Sequence, residues 1–246
     1  MSTFEPAAVE ITLLVLVAVA IRAVYVVFLQ HKLHLTFADA PARSLVYFSL
    51  SSLLLAGLFF DEAVELGADI PLVGYLALLA LFFVVFPALY RWLRKKMGAP
   101  TWLYKTFPSQ SLLTLEESYI VSKVGDVVSQ QLAGGIFILL LAGAGVSYEI
   151  IVFSFIGLFL LSHVYLFFTS GFIWGLYYSG LALGGAFAIP FFILFVPGGI
   201  AWSLILHMLF YVLAGAFFAK LPRPTKAVCY DILGVPEGDT HRGLLG

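Results

Sequence analysis

Charge is what this sequence lacks first: only 11% of its 246 residues are Asp, Glu, Lys or Arg, against about a quarter in soluble globular chains. Too little polar surface remains to cover a globule in water, which excludes a soluble enzyme. Thirteen Lys and Arg stand against fourteen Asp and Glu, for a net charge of −1, so there is no basic excess to grip nucleic acid. A single cysteine, Cys229, excludes a disulfide-stapled secreted scaffold. No repeat or low-complexity tract is present, and 62% hydrophobic residues with a mean hydropathy of +1.04 exclude a disordered chain. What is there in abundance is apolar length, and the expectation is an integral membrane protein of one polytopic domain.

A bilayer core about 30 Å thick takes about 20 apolar residues as helix. On that count seven spans are expected, near 9–28, 44–64, 71–92, 124–146, 150–168, 171–195 and 200–219. The predicted fold class is all-α, a transmembrane helical bundle. Spans four to seven are joined by short turns at Ser147-Tyr148-Glu149, Thr169-Ser170 and Pro197-Gly198-Gly199, which make them antiparallel neighbours. Pro190 falls inside the sixth span, where a kink or split is expected. Thr114 and Glu117 form a capping box that starts the fourth helix near Leu115.

Lys and Arg collect on the cytoplasmic side of membrane proteins. With the N-terminus outside, Lys32, Arg43, Arg91, Arg94, Lys95, Lys96, Lys105, Lys123, Lys220, Arg223, Lys226 and Arg242 all fall inside. The loop with Asp61, Glu62, Glu65 and Asp69 has no basic residue and falls outside. The expected topology is N-terminus out, C-terminus in, with no removable signal peptide because residues 1–6 lack a basic stretch. Residues 1–113 are expected to form a three-span scaffold ending in a cytoplasmic loop, 114–220 a four-helix core, and 221–246 a cytoplasmic tail.

Ionisable groups within lipid cost about 2.5–3.5 kcal/mol each on insertion scales, so each is a candidate site residue. Asp126, Ser129, Gln130 and Gln131 open span four, His163 lies in span five and His207 in span seven. Glu10 and Arg22 stand near the ends of span one, where they can snorkel to water. His31 and His34 sit in the loop after span one and His241 in the tail. Asp126 and Gln130, at i and i+4, share a helix face, as do Phe159 with His163 and His207 with Tyr211. Counted from the outer turns, the two histidines differ in depth by roughly 9 Å, and Asp126 and His163 by roughly 12 Å. Glu116 and Glu117 fall at or beyond the inner surface. A carboxylate and two imidazoles meeting in a low-dielectric cavity can activate water and stabilise an oxyanion, or hold a metal ion. The bland alternative is interhelical hydrogen bonding.

Phe159-Leu-Leu-Ser-His163, followed after one span by the turn and helix leading to His207, resembles the CAAX prenyl endopeptidase and bacteriocin-processing family of intramembrane proteases. That family carries EExxxR, FxxxH and HxxxN on three functional helices, and the likeness covers about 114–219. Two positions depart from it. Tyr211 stands where the family has Asn, and Glu116-Glu117 is followed by Val121 in place of Arg. Asp126-Val-Val-Ser-Gln130 is the preferred counterpart of the first motif, with Glu116, Glu117 and Tyr211 as secondary candidates. The resemblance implies hydrolysis of a peptide bond in a membrane-associated protein or peptide, in the cytoplasmic membrane of a prokaryote. It also implies roles: Asp126 activates the water, His163 assists or orients it, His207 stabilises the oxyanion and Gln130 positions the carboxylate. A divalent metal such as zinc, on His163 and His207, stays open.

The rival expectations are a non-catalytic member of the same fold that binds a partner in the bilayer, and a small-molecule transporter, which Pro190 and the Pro197-Gly198-Gly199 break would suit. Haem ligation by His163 and His207 is disfavoured by their offset in depth. A retinal protein is rejected because Lys220 lies at the inner end of the last span rather than its middle. The outer acidic loop is taken as a solvated face and the first three spans as scaffold.

Overall fold

The computed structural model describes residues 4–25, 28–29, 33, 40–97, 118–163 and 172–217, and among them every regular element is a helix. The elements are α1 (Phe4–Ala23), α2 (Pro41–Leu58), α3 (Phe60–Gly67), α4 (Leu72–Ala80), a π-helical turn (Leu81–Val85), α5 (Phe86–Met97), α6 (Ser118–Gly143), α7 (Tyr148–His163), α8 (Phe172–Phe195) and α9 (Gly199–Phe217). Among the described residues three stretches are long and apolar enough to cross a membrane: Pro41–Leu58, Leu72–Leu93 and Ile120–Gly143. The capping box at Thr114, the turn at Thr169-Ser170, His31, His34 and the tail from 221 lie outside the described residues.

The second expected span is not one helix. It breaks at Phe59, where φ is −125° and ψ 57°. The Phe59 ring is drawn into the core at 4% exposure, and α3 restarts with Asp61 and Glu62 in its first turn, where carboxylates complement the helix dipole. The third span keeps one direction but widens into a π turn, and the buried rings of Phe82 and Phe86 stack 5.8 Å apart there. Pro190 does not split α8, which continues to Phe195. A proline removes one backbone bond from a helix, and neighbouring helices in a bundle make that tolerable.

At the end of α6 the chain turns through a Schellman motif. Val146 N–H reaches Leu141 C=O at 3.1 Å and Gly145 N–H reaches Ala142 C=O at 2.9 Å, with Gly145 at φ +77° as this cap requires.

α6 is the axis of the bundle. It packs against α1, α2, α3, α5, α7, α8 and α9, most extensively along α2, and is far more enclosed than the other two long apolar stretches. Small residues make this possible, because helices in lipid are held by close backbone approach rather than by expulsion of water. A Cβ at Gly125 would stand 2.9 Å from Leu45 O, so α2 and α6 meet there at backbone distance. One apolar core runs from Leu14, Phe48 and Leu55 on α1 and α2 through Ile136 and Ile138 to Ile151, Phe155 and Ile189. It joins both sides of the boundary expected at residue 113. The outward surface is also apolar: Leu72 and Val73 on α4 are 76% and 70% exposed, and Phe153 on α7 is 71% exposed. In water such a surface would aggregate, whereas lipid covers it at no cost.

Candidate functional site

The polar residues of α6 sit near its N-terminal end and face two different neighbours. Asp126 is fully buried. Its Oδ1 accepts from Gln130 Nε2 at 2.7 Å and from Arg22 of α1 at 3.4 Å, and its Oδ2 accepts from Lys123 Nζ at 2.9 Å. Lys123 is buried with it, while the Arg22 side chain is 48% exposed. The expected i, i+4 pairing of Asp126 with Gln130 is therefore present. It sits inside an ion cluster of one carboxylate and two cations.

The Lys123 ammonium also lies 5.0 Å from the ring centre of Tyr211 on α9, within cation–π reach. Tyr211 is buried, and its ring stacks on His207 one turn earlier, with centroids 5.4 Å apart and planes 15° apart. His207 Nδ1 lies 2.7 Å from Nε2 of Gln131, and Oε1 of the same amide accepts from Ser203 Oγ. A continuous series of polar and aromatic contacts thus runs from Arg22 through Asp126, Lys123, Tyr211 and His207 to Gln131 and Ser203. It connects α1, α6 and α9.

Of the sequence candidates, Asp126, Gln130, His207 and Tyr211 belong to this one network. Glu116 and Glu117 lie outside the described residues, as does the side chain of His163, whose backbone ends α7. Among the described residues no three His, Cys, Asp or Glu side chains come together in a group able to hold a metal ion.

Four participants lie outside the matched motif positions. Lys123, expected on the inner side, stands i, i+3 to Asp126, a spacing that is itself a signal. Gln131 is among the polar residues expected to open span four but has no role in the resemblance, and nothing in the sequence marks Ser203. Arg22 is expected at the water interface, and its pairing with a residue 104 positions away leaves no mark in local sequence.

Chemically, the network offers a carboxylate with a cation on each oxygen, and an imidazole whose Nδ1 and one ring face are held by protein groups. Aligned against protein-family models, curated proteins and solved structures, the chain finds no match.

Proposed function

We propose that this protein is an intramembrane endopeptidase of the CAAX-protease type, with seven spans, the N-terminus outside and the C-terminus inside. The resemblance also implies the cytoplasmic membrane of a prokaryote. What supports the reading is one arrangement: Asp126 with Gln130 and His207 with Tyr211, the positions matched to the first and third family motifs, are joined through Lys123, whose ammonium reaches Asp126 on α6 and the Tyr211 ring on α9. The two motif positions are about eighty residues apart in sequence.

In this reading Asp126 takes a proton from water as the water oxygen attacks the peptide carbonyl carbon. His207 donates to the oxyanion, and collapse of the tetrahedral intermediate releases the amine, which takes up the proton. Gln130 holds Oδ1, leaving Oδ2 as the working oxygen. Because Asp126 is fully buried and Lys123 occupies Oδ2, water reaches the carboxylate when Lys123 withdraws.

The ion cluster favours a second reading, in which the same fold binds a membrane partner without turnover. A carboxylate clamped by Lys123, Arg22 and Gln130 is also what a purely structural pin between α1 and α6 requires.

The experiment compares wild type with Asp126→Asn, His163→Gln and His207→Gln in membranes of the host, profiling membrane peptides by mass spectrometry, with the folding of each variant checked by thermal unfolding in detergent. The hydrolase reading expects a common substrate to accumulate in all three variants. Identical profiles from folded variants would discard it and leave the partner-binding reading.

A further inference from the structure

We infer that Gln131 and Ser203 form a positioning pair that fixes the tautomer of His207, with Nδ1 as acceptor and the proton on Nε2. The pair stands on geometry alone; that this tautomer serves a hydrolase rests on the reading above.

A glutamine amide has a donor end and an acceptor end. Here the acceptor end is engaged by the Ser203 hydroxyl, so the amino end is the one set 2.7 Å from His207 Nδ1. An amino group only donates, so Nδ1 must offer its lone pair. A neutral imidazole with a lone pair on Nδ1 carries its proton on Nε2. Ser203 is fully buried and lies one turn before His207 on the same face of α9, so a single side chain from α6 spans both. Stacking on Tyr211 holds the ring plane, and the Gln131 amide fixes which edge of the ring faces α6.

The pair lies outside the three motifs of the family resemblance. It gives Gln131 and Gln130 separate tasks: the first governs the imidazole of α9, the second the carboxylate of α6 itself. A proton on Nε2 makes that nitrogen a hydrogen-bond donor and disfavours a cation or metal there.

The test is nitrogen NMR of the full-length protein carrying 15N-histidine, in lipid nanodiscs, with the His207 signals identified by their loss in His207→Gln. Wild type is expected to show a pyridine-type Nδ1 and a pyrrole-type Nε2. Gln131→Glu is nearly isosteric but presents only acceptors, so it should move the proton to Nδ1 and shift that resonance to the pyrrole type. Ser203→Ala frees the amide to turn over and should give a mixture of both tautomers. A wild-type spectrum with Nδ1 protonated overturns the inference, as does a folded Gln131→Glu whose ring resonances match wild type. Ring spectra need no turnover, so unchanged peptide profiles alongside the expected tautomer would defeat the hydrolase reading while the positioning pair stands.

Discussion

Lys123 stands one helical turn before Asp126 and donates Nζ to its Oδ2 at 2.9 Å, both side chains buried on α6. The helix thus carries its own counter-charge into an apolar setting. Arg22 approaches the other carboxylate oxygen from α1 at 3.4 Å. A charge buried alone would carry a large desolvation penalty, whereas a cluster of close opposite charges with added hydrogen bonds offsets much of it.

Asp126→Leu should therefore be the most destabilising change in the cluster, about 3–5 kcal/mol, because it leaves the Lys123 ammonium without its carboxylate. Lys123→Met should cost less, since Asp126 keeps Arg22 and Gln130. The double variant should recover part of the loss seen in Asp126→Leu. Thermal unfolding in one detergent gives the order; Lys123→Met proving the worse of the two single changes would contradict it.

Tyr211 connects this cluster to His207 through its ring. Tyr211→Leu should lower stability by about 1–2 kcal/mol, the range of a partly desolvated cation–π contact. In the Lys123→Met background the same change should cost less, and the difference is the coupling of the two residues. Equal losses in both backgrounds would mean that the ammonium does not lean on the ring.

The contact of α2 with α6 rests on the absence of one methyl group. Gly125→Ala would press a Cβ to 2.9 Å from Leu45 O and 3.2 Å from Phe48 Cβ, and a forced backbone shift of this kind costs about 1–3 kcal/mol. Gly57→Ala on α2 meets nothing within 4 Å and should be neutral or stabilising by about 0.4–1 kcal/mol. Melting temperatures of the two variants should move in opposite directions, or only the first should move.

The proposed orientation has a labelling consequence. A membrane-impermeant maleimide should reach Cys229 only after the membrane is opened. Asp69→Cys in a Cys229→Ser background should be labelled in intact cells. Reversed accessibility would invert the topology.

Sequence revealed the helical class because apolar length is a bulk property that survives without knowledge of neighbours. It also revealed the Asp126 and Gln130 pair, since i, i+4 spacing fixes a shared face whatever the helix packs against. It did not say which of two adjacent glutamines meets α9. Gln130 and Gln131 differ by about 100° around the helix, and only the direction of α9 decides between them. No proline marks the break at Phe59, whose ring packs in the core with residues distant in sequence. Pro190 gave a signal in the opposite direction, suggesting a break where α8 runs on.

The central place of α6 has a bearing on how the protein is made. α1 and α2 touch each other less than either touches α6, yet a ribosome delivers them about a hundred residues earlier. Until α6 emerges, those early helices wait in lipid with few of their final neighbours, and Arg22 waits without Asp126. Insertion of α6 is then the step at which loosely held helices become a bundle, and its buried charges meet the partner already in place.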